Sequence, residues 1–109
     1  MSPAPNQLPI EWVSKTIMRS RFNNGQYTQE VHAGKLLARI KKNSRPDTPP
    51  PGEPFCTHSQ IGCYHALSRE LVAIVHQYRR PDGTLGASGL PDPKRLTLAD
   101  RIVSVRSKG

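Results

Sequence analysis

The 109-residue sequence has no apolar run longer than Leu71-Val72-Ala73-Ile74-Val75. A membrane-crossing helix needs about 20 such residues in a row, so no membrane role is expected. Hydrophobic residues make up 35% of the chain and aromatics 6%, with a single tryptophan. That supply suits one small core and one domain at most. The opening MSPAPNQLPI has no basic start and no apolar stretch, which speaks against a secretory leader and for a cytoplasmic protein. Cysteine is limited to Cys56 and Cys63. Without a sign of secretion, two reduced thiols are expected rather than a disulfide.

Acidic residues are scarce as well. Eight stand against sixteen Lys and Arg, for a net charge of +8. The imbalance lies in two blocks. Residues 11 to 45 carry a net +6 and residues 79 to 109 a net +4, around a middle segment of −2. Two basic segments folded onto a weakly acidic centre would form one basic face, and such a face attracts polyanions through their phosphates.

What is abundant is proline, 11 residues. Residues 1–9, with Pro3, Pro5 and Pro9, read as a flexible arm; residues 10–109 read as a single small domain. Ile10, Val13 and Ile17 recur at helical spacing behind Pro9, with Asn23-Asn24-Gly25 as the stop. From Tyr27 to Lys42 a hairpin is favoured over a helix. Tyr27, Gln29, Val31 and Ala33 would share one strand face, Leu36, Ala38 and Ile40 another, and Gly34 would turn between them. The segment 43–54, NSRPDTPPPGEP, is a stiff proline-rich loop. Phe55 to Ala66 reads as extended, and Leu71 to Tyr78, apolar on both faces, as a central strand. Arg80-Pro81-Asp82-Gly83 suits a type I turn. Thr84 to Arg95 reads as a loop of small residues. Thr97 to Asp100 resembles a capping box ahead of Leu98, Ile102 and Val105, which predicts a short C-terminal helix, with a strand through Ile102–Val105 as the alternative. The fold expected is α+β: a small antiparallel sheet of three to four strands packed with one or two short helices. Trp12, Val31, Leu36, Ile40, Ile61, Val72, Ile74 and Leu98 are the core candidates.

Two constellations bear on chemistry. Cys56, His58, Cys63 and His65 are zinc-ligand types. They converge only if the chain turns at residues 59–62, because one continuous strand would send 56 and 58 to one face and 63 and 65 to the other. Their spacing fits no common zinc pattern, so no cofactor is expected. Glu30, His32 and His76 are acid/base candidates, with Arg79 and Arg80 as phosphate-binding cations. Metal-independent RNA cleavage needs such a set on one sheet face, with His32 on a strand near His76. Small bacterial ribonuclease toxins share this economy, an analogy of size and composition alone. The glycine-rich stretch Gly83–Gly89, followed by Lys94 and Arg95, lacks the spacing of a phosphate loop. Tyr27, Phe55, Tyr64 and Tyr78 do not interleave with the cations as a base-stacking pattern would.

The leading expectation is a small bacterial or phage protein that binds nucleic acid, DNA or RNA, through the phosphate backbone. Lys15, Arg19, Arg21, Lys35, Arg39, Lys41, Lys42, Arg79, Arg80, Lys94 and Arg95 are its candidate contacts. The alternatives are the toxin-type ribonuclease and an interaction module for an acidic protein partner.

Overall fold

Ser14 divides what looks like one helical repeat. Its Oγ accepts the Ile17 N–H at 3.2 Å, so it is an N-cap with extended backbone, and the residues before it are free to form a strand. In the computed structural model, which describes residues 8–86 and 89–106, β1 therefore spans Ile10–Val13 and α1 Lys15–Asn24. Residues 1–7 of the expected arm lie outside the described residues.

Next comes α2, Tyr27–His32, and only then β2, Leu36–Ser44. The first half of the expected hairpin is thus a helix. The reason is tertiary. The Tyr27 ring stacks on Phe22 at 5.2 Å, and Tyr27 and Val31 pack on the core, which outweighs the β preference of Thr28 and Val31. Gly34 adopts a φ of 79° and ends the helix. Its N–H donates to the Val31 carbonyl and that of Lys35 to the Glu30 carbonyl, the bonding pattern of a Schellman cap.

The remaining strands are β3 His58–Ala66, β4 Leu71–Arg79, β5 Asp92–Thr97 and β6 Ile102–Val105. The sheet order is β1-β6-β5-β4-β3-β2. β1 runs parallel to β6, and every other pair is antiparallel. Six strands in a mixed sheet replace the three or four antiparallel strands expected. The extra ones come from segments read as helix or loop. Residues 98–101 close a tight turn, the Leu98 N–H donating to the Arg101 carbonyl, and β-branched Ile102 and Val103 then pair with both β1 and β5, and Val105 with β1. β5 begins inside the small-residue loop, and Pro93 is tolerated beside an irregularity in the pairing with β4. β4 lies between β3 and β5, as its apolar run suggests. The proline-rich loop gives up Asn43 and Ser44 to β2.

The core gathers Val13, Met18, Phe22, Tyr64, Ala73, Val75, Leu96 and Val103 between the helices and one sheet face. Of the expected core, Val31, Val72 and Leu98 pack against it. Trp12 and Ile40 do not belong: they are 52% and 48% exposed. Gly25, next after α1, is required for close approach, since a Cβ there would lie 2.6 Å from the Tyr27 ring.

Candidate nucleic-acid interface

Strand alternation sorts the sheet into two faces. The register Glu11–Val103–Leu96–Ala73–Tyr64–Ala38 crosses all six strands on the helix side. The adjacent register, Trp12–Ser104–Arg95–Ile74–Cys63–Arg39, crosses them on the opposite, helix-free side. Five inter-strand steps make that row about 24 Å long. The next rows on the same side are Asp92–His76–Ile61–Lys42 and Tyr78–Ser59–Ser44. This face mixes half-buried apolar groups with cations, and its two outer strands carry Trp12 and Arg39.

The ion pairs decide which cations are free to meet a polyanion. Glu11 holds Arg21 through a two-bond fork at 2.8 and 2.9 Å and also takes Arg101 at 3.1 Å. Those hydrogen bonds, Arg21 first, pull its carboxyl down to about 2. Asp92 takes Arg19 at 3.1 Å and Lys94 at 2.9 Å. Burial pushes the Asp92 carboxyl up, but the bonds from Lys94 and Arg19 outweigh it and the net shift is downward. Lys35 lies 3.7 Å from Glu30. Lys15, Arg39, Lys41, Lys42, Arg45 and Arg95 have no carboxylate partner among the described residues. Four of these fall between positions 39 and 45, on and just beyond the edge strand β2, where no acid stands. Arg79 donates to the Gly83 carbonyl at 2.7 Å.

Arg80 has a structural task. Its guanidinium forks onto Glu53 at 2.8 and 3.0 Å, and the Glu53 side chain is 5% exposed. Gly86 packs directly on that carboxylate, where a Cβ would come within 2.7 Å. The fork thus joins the proline-rich loop, the end of β4 and the loop before β5. Two clefts flank this last loop and share Gln77, Leu90 and Pro91. The smaller, about 330 Å³, is lined by Arg19, Asn23, His76, Tyr78 and Asp92 among others. The larger, about 500 Å³, is lined on the helix side by Val31, His32, Tyr64 and Arg79 among others.

His76 Nε2 lies 2.8 Å from Ser59 Oγ, and the ring meets Tyr78 edge-on at 4.7 Å. Burial lowers its pKa, Lys94 lowers it further, and Asp92 opposes both. The acid/base set is not brought together. Glu30 and His32 sit on α2, and His32 is exposed. His76 is on the helix-free face, and Arg80 is held by Glu53. The geometric condition set for RNA cleavage, His32 on a strand beside His76, is not met.

The zinc candidates are dispersed too. β3 is one continuous strand, with His58 on the helix side, next to Asn43 Oδ1 at 3.0 Å, and Cys63 and His65 on the other. Cys56 is exposed in a turn at φ 69°. Among the described residues no group of three or more His, Cys, Asp and Glu is placed to hold a metal ion, and no helix is long and apolar enough to cross a membrane.

Ser59, Glu53, Gln60 and Gln77 escaped the sequence reading. Gln77 Nε2 donates to Gln60 Oε1 at 2.9 Å, and Gln60 Nε2 to Asn43 Oδ1 at 3.2 Å, a polar ladder across three strands. Amide and hydroxyl side chains carry no spacing signal until strand register is known. Trp12 was noted, but as core. Comparison with protein families, with curated proteins and with solved structures finds no match for this chain, so the functional reading rests on the site alone.

Proposed function

We propose that this protein binds nucleic acid through the phosphate backbone, along the β2 edge and the adjoining helix-free sheet face. The observation that carries the reading is the set of uncompensated cations Arg39, Lys41, Lys42 and Arg45, with Arg95 in the same cross-sheet row as Arg39. Cations already matched by carboxylates add little to an external field. Unmatched cations on an exposed strand attract counter-ions, which a polyanion displaces with a gain in entropy. The same charges blunt β2 as an edge strand, but that role does not require Arg95, three strands away in the sheet order.

Of the expected contacts, Arg39, Lys41, Lys42 and Arg95 are retained and Lys15 stays available on α1. Arg19, Arg21, Arg80 and Lys94 are engaged in ion pairs, Lys35 only in a long, exposed one with Glu30, and Arg79 is turned onto the Gly83 carbonyl. Titration of the purified protein with single-stranded and duplex oligonucleotides at about 50 and 200 mM salt tests this. Several phosphate contacts should cost at least tenfold in affinity between the two conditions. Absence of binding to every oligonucleotide at the lower salt rejects the reading.

A further inference from the structure

We propose that the ligand of this surface is a single-stranded nucleic acid, laid across the helix-free sheet face with a base stacked on Trp12. This deepens the nucleic-acid reading and rests on it. The argument begins with Trp12, the only tryptophan. It lies 52% exposed while its neighbour Val13 is buried in the core. An indole so placed lies outside the core, yet it offers a large flat π surface at one end of a cross-sheet row that holds Arg95 and Arg39. Its row continues through Arg95 to Arg39, so phosphate contacts lie along the line the indole begins. Asp92, the acid in these rows, is already paired with Arg19 and Lys94, so its charge does not oppose a polyanion. His76 and Tyr78, half-buried, add an edge-on ring pair there.

The choice between single strand and duplex follows from what each exposes. A duplex presents phosphates and groove edges while its base faces are stacked inside. Unpaired bases present their π faces, and each base stacked on an aromatic side chain strengthens binding by about 5- to 150-fold. A sheet bearing an exposed indole, half-buried His76 and Tyr78 rings and spaced cations matches the second kind of ligand.

Trp12 is its own reporter. An unstructured oligonucleotide of about a dozen residues, and the duplex of the same sequence, are titrated against the full chain at low salt while tryptophan emission is followed. The single strand should quench Trp12 and bind more tightly than the duplex. Trp12→Ala should lose about 5- to 150-fold in single-strand affinity with little change for duplex, and Trp12→Phe should restore most of it. Arg95→Gln, which keeps the indole, should weaken binding but leave the quenching at saturation intact. Circular dichroism checks that each variant is folded. Equal affinity for duplex and single strand, with Trp12 emission unchanged, overturns the stacking proposal and leaves backbone binding standing. Equal quenching by poly-glutamate overturns it in favour of an acidic protein partner. Failure of both oligonucleotides to bind rejects the underlying reading itself.

Discussion

Glu53 and Arg80 meet as a two-bond fork, Nε to Oε2 at 2.8 Å and Nη2 to Oε1 at 3.0 Å, and so connect the proline-rich loop to the end of β4. Because the carboxylate is nearly enclosed, removing the guanidinium takes a two-bond, charge-assisted fork from a buried carboxylate. Arg80→Gln should therefore lower the melting temperature clearly more than Lys35→Gln, whose pair with Glu30 is exposed and long at 3.7 Å. Equal effects in thermal denaturation would show that the fork does not anchor the loops.

Met18 and Trp12 test where the core sits. Met18 is fully buried, so Met18→Ala should cost about 2–5 kcal/mol in urea unfolding. Trp12→Ala, on the open face, should cost under about 1 kcal/mol. A reversed order would place the core on the wrong side of the sheet.

The architecture was legible only where one signal was strong. The β-branched run in β4 announced a central strand, and the Arg80–Gly83 turn is closed by the Gly83 N–H donating to the Arg80 carbonyl. Elsewhere local pattern and tertiary packing disagreed. Ile10, Val13 and Ile17 fit a helical stripe, yet Ser14 splits them into strand and helix. Tyr27 to His32 could alternate as a strand, yet the stack on Phe22 holds it helical. Trp12 looked like core because size and apolarity say nothing about which sheet face a residue occupies; that depends on the parallel pairing of β1 with β6, ninety residues away in the chain. Of the candidate interface, the cations of β2 were visible from charge alone. Their freedom from partners, and the alignment of Arg39 with Arg95, required the register.

Gly25 makes a narrower prediction. Gly25→Ala would set a methyl 2.6 Å from the Tyr27 ring and should destabilise by about 1–3 kcal/mol through overpacking. Loss of the Phe22–Tyr27 stack should show in near-ultraviolet circular dichroism.

Stability should fall toward acid in two stages. His76 has a folded-state pKa below its ordinary 6.5, so the unfolded chain takes up the proton first. Its contribution is therefore present above 6.5 and is lost as pH falls below that value. Burial sets this direction, Lys94 reinforces it and Asp92 works against it. Glu11, held down to about 2 by Arg21 and Arg101, contributes above 4.5 and loses that contribution as pH falls toward 2. Urea midpoints recorded from pH 8 to 3 should show both stages. His76→Gln should flatten the first and leave the second, and an unchanged profile in that variant would assign the first stage to other groups.

The salt dependence of oligonucleotide binding, compared between the wild type and Arg39→Gln/Lys41→Gln/Lys42→Gln, reaches the central claim most directly. Each phosphate contact contributes about 0.7 to 0.9 to the slope of log affinity against log salt concentration. The three replacements should make that slope shallower by about 2 and weaken binding at low salt, while the fold, read by circular dichroism, is kept. A variant with the wild-type slope and affinity would contradict the assignment of the β2 edge as the surface that meets the nucleic acid.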